Sequence, residues 1–176
     1  MPKKQKTIFT IGYSTRSIKQ FITMLKANSV TLLVDVRSIP KSRHQPDFNE
    51  QNLEKSLKKE GIKYVHAEDL GGLRKPKANS INTAWINKSF RGFADYMQTR
   101  KFTSAVLKLI SLSKTEKVAI MCAEGNPFRC HRSLIAYSLL IRGIDVYDIS
   151  GPNSLHNHKL TSFAKVYRKK ITYPSY

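Results

Sequence analysis

The chain has 176 residues, enough for one well-buried core and without any sign of a second domain. Hydrophobic residues make up 40% of it and aromatics 10%, as in globular proteins, but 31 Lys plus Arg stand against 12 Asp plus Glu, and the formal net charge of +19 favours polyanionic partners. A membrane-spanning helix is excluded because no apolar run reaches about 18 residues, and two cysteines are too few for a disulfide scaffold and suit a reducing compartment.

The start, Met1 to Lys6, is basic but is followed by neither a leader-length apolar stretch nor a small-residue cleavage site. A cytoplasmic protein with a flexible basic amino terminus over residues 1–6 is expected. Thr7 to Ile11 reads as a short strand ended by Gly12, and Tyr13-Ser14 leads into a helix with Ile18, Phe21, Ile22 and Leu25 at helical spacing. Thr31 to Val36 is nearly continuous in branched apolar residues, as a strand buried on both faces should be. Two prolines keep Arg37 to Phe48 from being a helix, and Arg37, Lys41, Arg43 and His44 make it basic. Asn49 then caps a helix carrying Leu53 and Leu57, which Gly61 ends.

Ile62 to Val65 is a short strand that delivers the chain to His66, Glu68 and Asp69. Leu70 to Lys77 is a glycine-bearing basic loop, Trp85 to Tyr96 suggests short helical pieces, and Phe102, Val106, Leu109 and Ile110 mark a clearer helix. Lys117 to Met121 is a buried strand, His131 to Arg142 a helix closed by Gly143, and Ile144 to Ile149 the next strand. In the basic tail, 157–176, Leu160, Phe163, Ala164 and Tyr167 fall at helical spacing and predict a last helix. Strands alternating with helices at this rhythm predict a single α/β domain over 1–176, a parallel sheet flanked by helices.

Ligands of such sheets sit beyond the carboxyl ends of the strands. Four of those ends carry polar residues: Gly12-Tyr13-Ser14, Asp35 with Arg37, His66 with Glu68 and Asp69, and Cys122 with Glu124. They should face one cleft. Both cysteines flank the loop there, Cys122 at a strand end and Cys130 beside the first turn of a helix, with Arg129, His131 and Arg132 adjacent. Helix-terminal N–H groups and cationic neighbours lower a thiol pKa, so either cysteine is a candidate nucleophile. A metal is not expected: the spacing Cys-x7-Cys-His is no zinc knuckle, no second pair completes it, and the arginines would repel a cation. An arginine-held Asp35 is a poor proton donor and is expected to orient Arg37.

Cys122-x-x-Gly125, the later Arg132-Ser133 and following helix, and Asp35-Val36-Arg37 resemble the catalytic-loop region and Asp-Val-Arg motif of a rhodanese-type sulfurtransferase. The resemblance makes Cys122 the persulfide-carrying cysteine; Asn126 to His131 is an insertion relative to that loop. A closer resemblance covers most of the chain. Gly12-Tyr13-Ser14, Asp35-Val36-Arg37 with Pro40 and Ser42-Arg43, Phe48, Tyr64 with Leu70-Gly71-Gly72, and Cys122 to Arg132 are similar to the bacterial and archaeal family called domain of unknown function 488. It implies a small intracellular α/β domain whose polar pocket uses the Asp-Val-Arg and Cys-His-Arg segments.

The functional expectation is a protein that binds nucleic acid or a nucleotide, DNA or RNA alike, and acts on it through the strand-end pocket. Cys122, Glu124, Asp35, Cys130 and His131 are the catalytic candidates, and Tyr13, Ser14, Arg37, Arg43, His44, Arg74, Arg129 and Arg132 the substrate or phosphate contacts. Tyr13, Trp85 and Phe128 are candidates for stacking on a base. Alternatives are a rhodanese-like sulfurtransferase acting on a small molecule or tRNA, a non-catalytic basic DNA- or RNA-binding module, and an enzyme that uses Glu124 or Asp35 to cleave a nucleobase glycosidic bond. No cofactor, membrane or specific protein partner is expected, and oligomeric state is not legible.

Overall fold

The structure, a computed structural model, describes residues 6–175. Of the amino-terminal segment expected to be flexible, all but Lys6 therefore lies outside the described residues. The chain runs β1 (Thr7–Gly12), α1 (Ile18–Ala27), β2 (Leu32–Asp35), α2 (Glu50–Lys59), β3 (Lys63–His66), α3 (Lys88–Tyr96), α4 (Arg100–Leu112), β4 (Val118–Cys122), α5 (Arg132–Leu140), β5 (Asp145–Gly151), β6 (Ser154–Asn157), β7 (Lys165–Tyr167) and β8 (Lys170–Thr172). Short 3-10 turns at Pro46–Phe48, Glu68–Leu70 and Pro127–Arg129 lie in the strand-end loops.

The first six strands form one sheet in the order β3-β2-β4-β1-β5-β6, parallel except for β6, which returns antiparallel to β5. The apolar β2 and β4 are buried throughout, as central strands covered on both faces must be. On one face, Phe21, Met24 and Leu25 of α1 and Leu53 and Leu57 of α2 pack over Leu33, Ala119 and Ile11. On the other, Phe93 of α3, Phe102, Val106 and Leu109 of α4 and Leu134, Ile135 and Leu139 of α5 cover Val34, Ile120 and Val146. No helix among the described residues is long and apolar enough to cross a membrane.

Local chemistry fixes the helix ends. Ser17 and Gln20 exchange hydrogen bonds in a capping box that starts α1. Asn49 precedes α2 as expected, but its side chain accepts from Ser42 N at 2.7 Å instead of capping the helix, and so pins the basic loop after β2. Gly61 follows α2 at φ 72°, a conformation that favours glycine.

The expected last helix is not formed. Ser154–Asn157 return as β6, antiparallel to β5, and 165–172 is a hairpin, β7 with β8, whose two-residue turn places Arg168 at φ 54°. The helical spacing there is coincidental: Phe163 packs on Trp85 and Tyr173, whereas Tyr167 is exposed, so these residues share no buried face.

Candidate functional site

The sheet order has a physical consequence for the site. After β1 the chain crosses to β2 on one side, and after β4 it crosses to β5 on the other, so the adjacent strands β1 and β4 mark the point where the winding reverses. Such a switch point opens a crevice at the carboxyl ends. Gly12 pairs with Cys122 there, at the last register position of the two strands.

The loop after β1 is tied to the loop after β4. Tyr13 N donates to Cys122 O at 3.3 Å and Ser14 N to Ala123 O at 2.8 Å, with Ser14 held at φ 48°. Gly12 is required at this approach, because a β-carbon would collide with the Glu124 carbonyl. Arg16 closes the bend by donating to Gly12 O and Ser150 O.

Cys122 and Cys130 face each other across the loop, with Sγ atoms 2.7 Å apart, and both are free thiols. Arg132, only 1% exposed, reaches back from the first turn of α5; its Nη1 donates to Cys122 Sγ at 2.7 Å and to Glu124 O at 2.8 Å. Cys130 Sγ accepts from Arg132 N at 3.4 Å, at the amino end of the same helix. Burial pushes the Cys122 thiol up, but the hydrogen bond from Cys130 and the charge and hydrogen bond of Arg132 outweigh it and bring it down to about 7. The hydrogen bond to Cys122, then burial, then the negative charge of Cys122 push the Cys130 thiol well up. Of the pair, Cys122 is the one that ionises, around pH 7, and Cys130 stays the thiol that donates to it.

His131 is adjacent in sequence but turned to another duty. Its Nε2 lies 2.7 Å from Val36 O and its Nδ1 3.4 Å from Cys130 Sγ, and Gly72 leaves room for the ring. Burial, opposed by the Val36 hydrogen bond and aided by the Arg132 charge, brings it down to about 4, so the imidazole is neutral.

At the end of β2 a second arginine is engaged differently. Arg37 forks Asp35 through Nε and Nη2 (2.9 and 2.7 Å) and also donates to Phe48 O, while Tyr64 Oη donates to Asp35 at 2.6 Å. The hydrogen bond and charge of Asp35 outweigh burial and raise the Arg37 pKa. Burial, then Asp35, raises that of Tyr64. Tyr13 is buried over this pair, stacked on Phe48 with centroids 4.2 Å apart, and is closed to a base.

A cleft of about 410 Å³ opens above the cysteines, lined by Arg37, Ser38, Leu73, Asn87, Phe90, Cys122, Glu124, Arg129, Cys130 and His131, among others. It brings together Cys122, Glu124, Cys130, His131, Arg37 and Arg129 of the sequence-predicted set. Asp35 lies beneath it, fully buried. Ser14 sits exposed on its own turn, and Arg43 and His44 are exposed on the loop after β2, outside the lining. Arg74 lies on the Tyr96 ring, 3.6 Å from its centroid. Arg37 and Arg132 have their guanidinium edges committed inward, so of the arginines lining the cleft only the exposed Arg129 is turned to solvent. The Glu124 carboxylate is exposed and accepts from Asn126 N.

Sequence reasoning missed Ser38, Gly72, Leu73, Asn87, Ser89 and Phe90 as cleft walls. A signal existed for some of them: Asn87 precedes Lys88-Ser89-Phe90 as a helix cap does, and its Oδ1 accepts from Ser89 N and Phe90 N. Phe128 is 57% exposed and stacked against the buried His158, whose Nδ1 is hydrogen-bonded to Asp148 Oδ2 at 2.7 Å. Trp85 is packed among Phe90, Phe163 and Tyr173. Among the described residues no three His, Cys, Asp or Glu side chains converge as metal ligands would.

Comparison with known proteins adds one assignment. No curated protein and no solved structure gives a significant match. Residues 17–139, more than two thirds of the chain and including both cysteines, match the family Domain of unknown function DUF488, and the chain belongs to that family.

Proposed function

We propose that the protein is a thiol enzyme acting on nucleic acid or a nucleotide, with Cys122 as nucleophile in the strand-end cleft. The observation that carries this reading is the contact of Arg132 Nη1 with Cys122 Sγ at 2.7 Å, next to the Cys130 thiol. A buried sulfur so placed ionises around pH 7 without a histidine base. Sulfur transfer is the chemistry that suits it, since a persulfide is a small group and fits where Cys122 is only 3% exposed.

The polyanionic substrate is supported by the net charge of +19 and by exposed basic side chains, Arg129 in the cleft lining and Arg43 and Lys75 on the loops after β2 and β3. Phe128, next to Arg129 in the chain, offers an exposed ring. Cleavage of a glycosidic bond by a carboxylate has less support: Asp35 is locked to Arg37 and Tyr64, and Glu124 holds its own loop.

The test is binding of mixed-sequence single-stranded RNA and DNA, followed by fluorescence anisotropy across a salt series. Affinity is expected to fall steeply with salt, to weaken in Arg43→Glu and Arg129→Glu, and to survive Cys122→Ser. Absence of binding at low salt, or binding indifferent to salt and to both charge reversals, would remove the nucleic-acid half of the reading.

A further inference from the structure

We infer that Cys130 is a resolving thiol, which discharges a persulfide on Cys122 as hydrosulfide inside the cleft instead of leaving it to be passed on as sulfane sulfur. The inference rests on Cys122 being the nucleophile proposed above and adds what happens to the sulfur afterwards.

The geometry gives the reason. Cys122 Sγ is surrounded by Arg132 Nη1 at 2.7 Å, Cys130 Sγ at 2.7 Å and Glu124 O at 3.6 Å. With only 3% of Cys122 exposed at the floor of the cleft, its sulfur favours a small donor such as a hydropolysulfide over an acceptor group carried on a large substrate. Cys130 is already in contact with it. Direct transfer of sulfane sulfur, in which the acceptor attacks the outer sulfur atom, needs the acceptor to reach into the cleft to a cysteine that is 3% exposed. Attack by Cys130 on the inner sulfur needs only the neighbour in place.

The steps balance. The Cys122 thiolate attacks a hydropolysulfide, and the S–S bond of the donor breaks; the donor leaves shortened by one sulfur, and Cys122 carries S–S⁻. The Cys130 sulfur then attacks the Cys122 sulfur, its proton passes to the outer sulfur, and HS⁻ leaves as the Cys122–Cys130 disulfide forms. The two cysteine sulfurs are oxidised and the sulfane sulfur is reduced by two electrons. A dithiol reductant restores the pair and is itself converted to a disulfide. The thiol proton that Cys130 keeps while Cys122 is a thiolate is the proton the leaving sulfur requires.

The consequence concerns the substrate. Hydrosulfide is a nucleophile, so the atom that receives it is an electrophilic carbon, as in an activated carbonyl or amidine of a nucleobase, and not a nucleophilic acceptor. The pair also sets a limit of one hydrosulfide per protein in the absence of reductant.

The test loads reduced protein with sodium polysulfide, removes the excess by rapid desalting without reductant, and follows hydrosulfide with a bimane trap and the cysteines by intact and peptide mass spectrometry. The expected result for the wild type is close to one hydrosulfide per chain, with a Cys122–Cys130 disulfide. Cys130→Ser is expected to keep a Cys122 persulfide and to release at least tenfold less hydrosulfide. A wild type that retains a stable Cys122 persulfide with Cys130 still alkylatable would overturn the inference and leave the nucleophile reading intact. A Cys122 that accepts no sulfur and resists alkylation at neutral pH would overturn both.

Discussion

The carboxyl ends of β2 and β4 carry the same device with opposite outcomes. At each, a buried arginine donates to an anionic group: Arg37 to the Asp35 carboxylate, Arg132 to the Cys122 sulfur. At β2 the arginine lines the cleft, but its fork is completed by Phe48 O, Tyr64 donates to the same carboxylate, and Asp35 itself is fully buried. At β4 the anion has a second sulfur beside it and the cleft above. An anion buried beneath the cleft holds the fold; one that lines the cleft can react. What separates them is which polar group still has something to give.

Asp35→Ala should show the largest effect on the sealed side. It leaves Arg37 buried and unpaired, and a loss of about 3–5 kcal/mol in denaturant unfolding is expected, while the pH profile of Cys122 alkylation in the folded protein stays where it was. Arg132→Met should act on the open side. Without the guanidinium, Cys122 moves from about 7 towards the ordinary thiol value of about 8.5, and alkylation at pH 7 slows roughly tenfold to twentyfold. A profile shifted by Asp35→Ala but not by Arg132→Met would invert the comparison.

Gly12→Ala joins the two sides, because the added methyl pushes on the Glu124 carbonyl that also accepts from Arg132. A cost of about 1–3 kcal/mol is expected, together with slower alkylation. Glu124→Gln should do least. Its carboxylate is exposed and holds only Asn126 N, so a stability change within about 0.5 kcal/mol and slightly faster alkylation are expected, since one negative charge near the thiolate is gone.

Much of the fold could be read from the residues. The buried strands at Leu32–Asp35 and Val118–Cys122 announce themselves by continuous branched apolar residues, and the start of α1 by the capping side chains that end at Ser17. The tail misled because Leu160, Phe163, Ala164 and Tyr167 match a helical period without sharing an environment. Phe163 is held by Trp85 and Tyr173, which are distant in sequence.

The site was legible as a set of loops and illegible as a set of roles. Sequence placed Arg37 and Arg132 among phosphate contacts, but a guanidinium's direction depends on what the packed neighbours offer, and here both turn inward. The ranking of the two cysteines was equally hidden, since it depends on a side chain ten residues after Cys122 folding back over it. His131 had adjacency in its favour, and the Val36 carbonyl on another strand's end decided its orientation.

The most direct test of the central claim is the rate of alkylation of Cys122 by a small neutral reagent between pH 5 and 10, followed peptide by peptide on the native reduced protein. Because the thiolate is the reactive form, the rate should climb about tenfold per pH unit below an inflection near 7 and level off above it. Cys130 should remain unreactive at neutral pH, and His131, held down to about 4, should add no inflection near 6. An inflection at or above about 8.5 for Cys122, or reaction at Cys130 first, would contradict the assignment of Cys122 as the nucleophile.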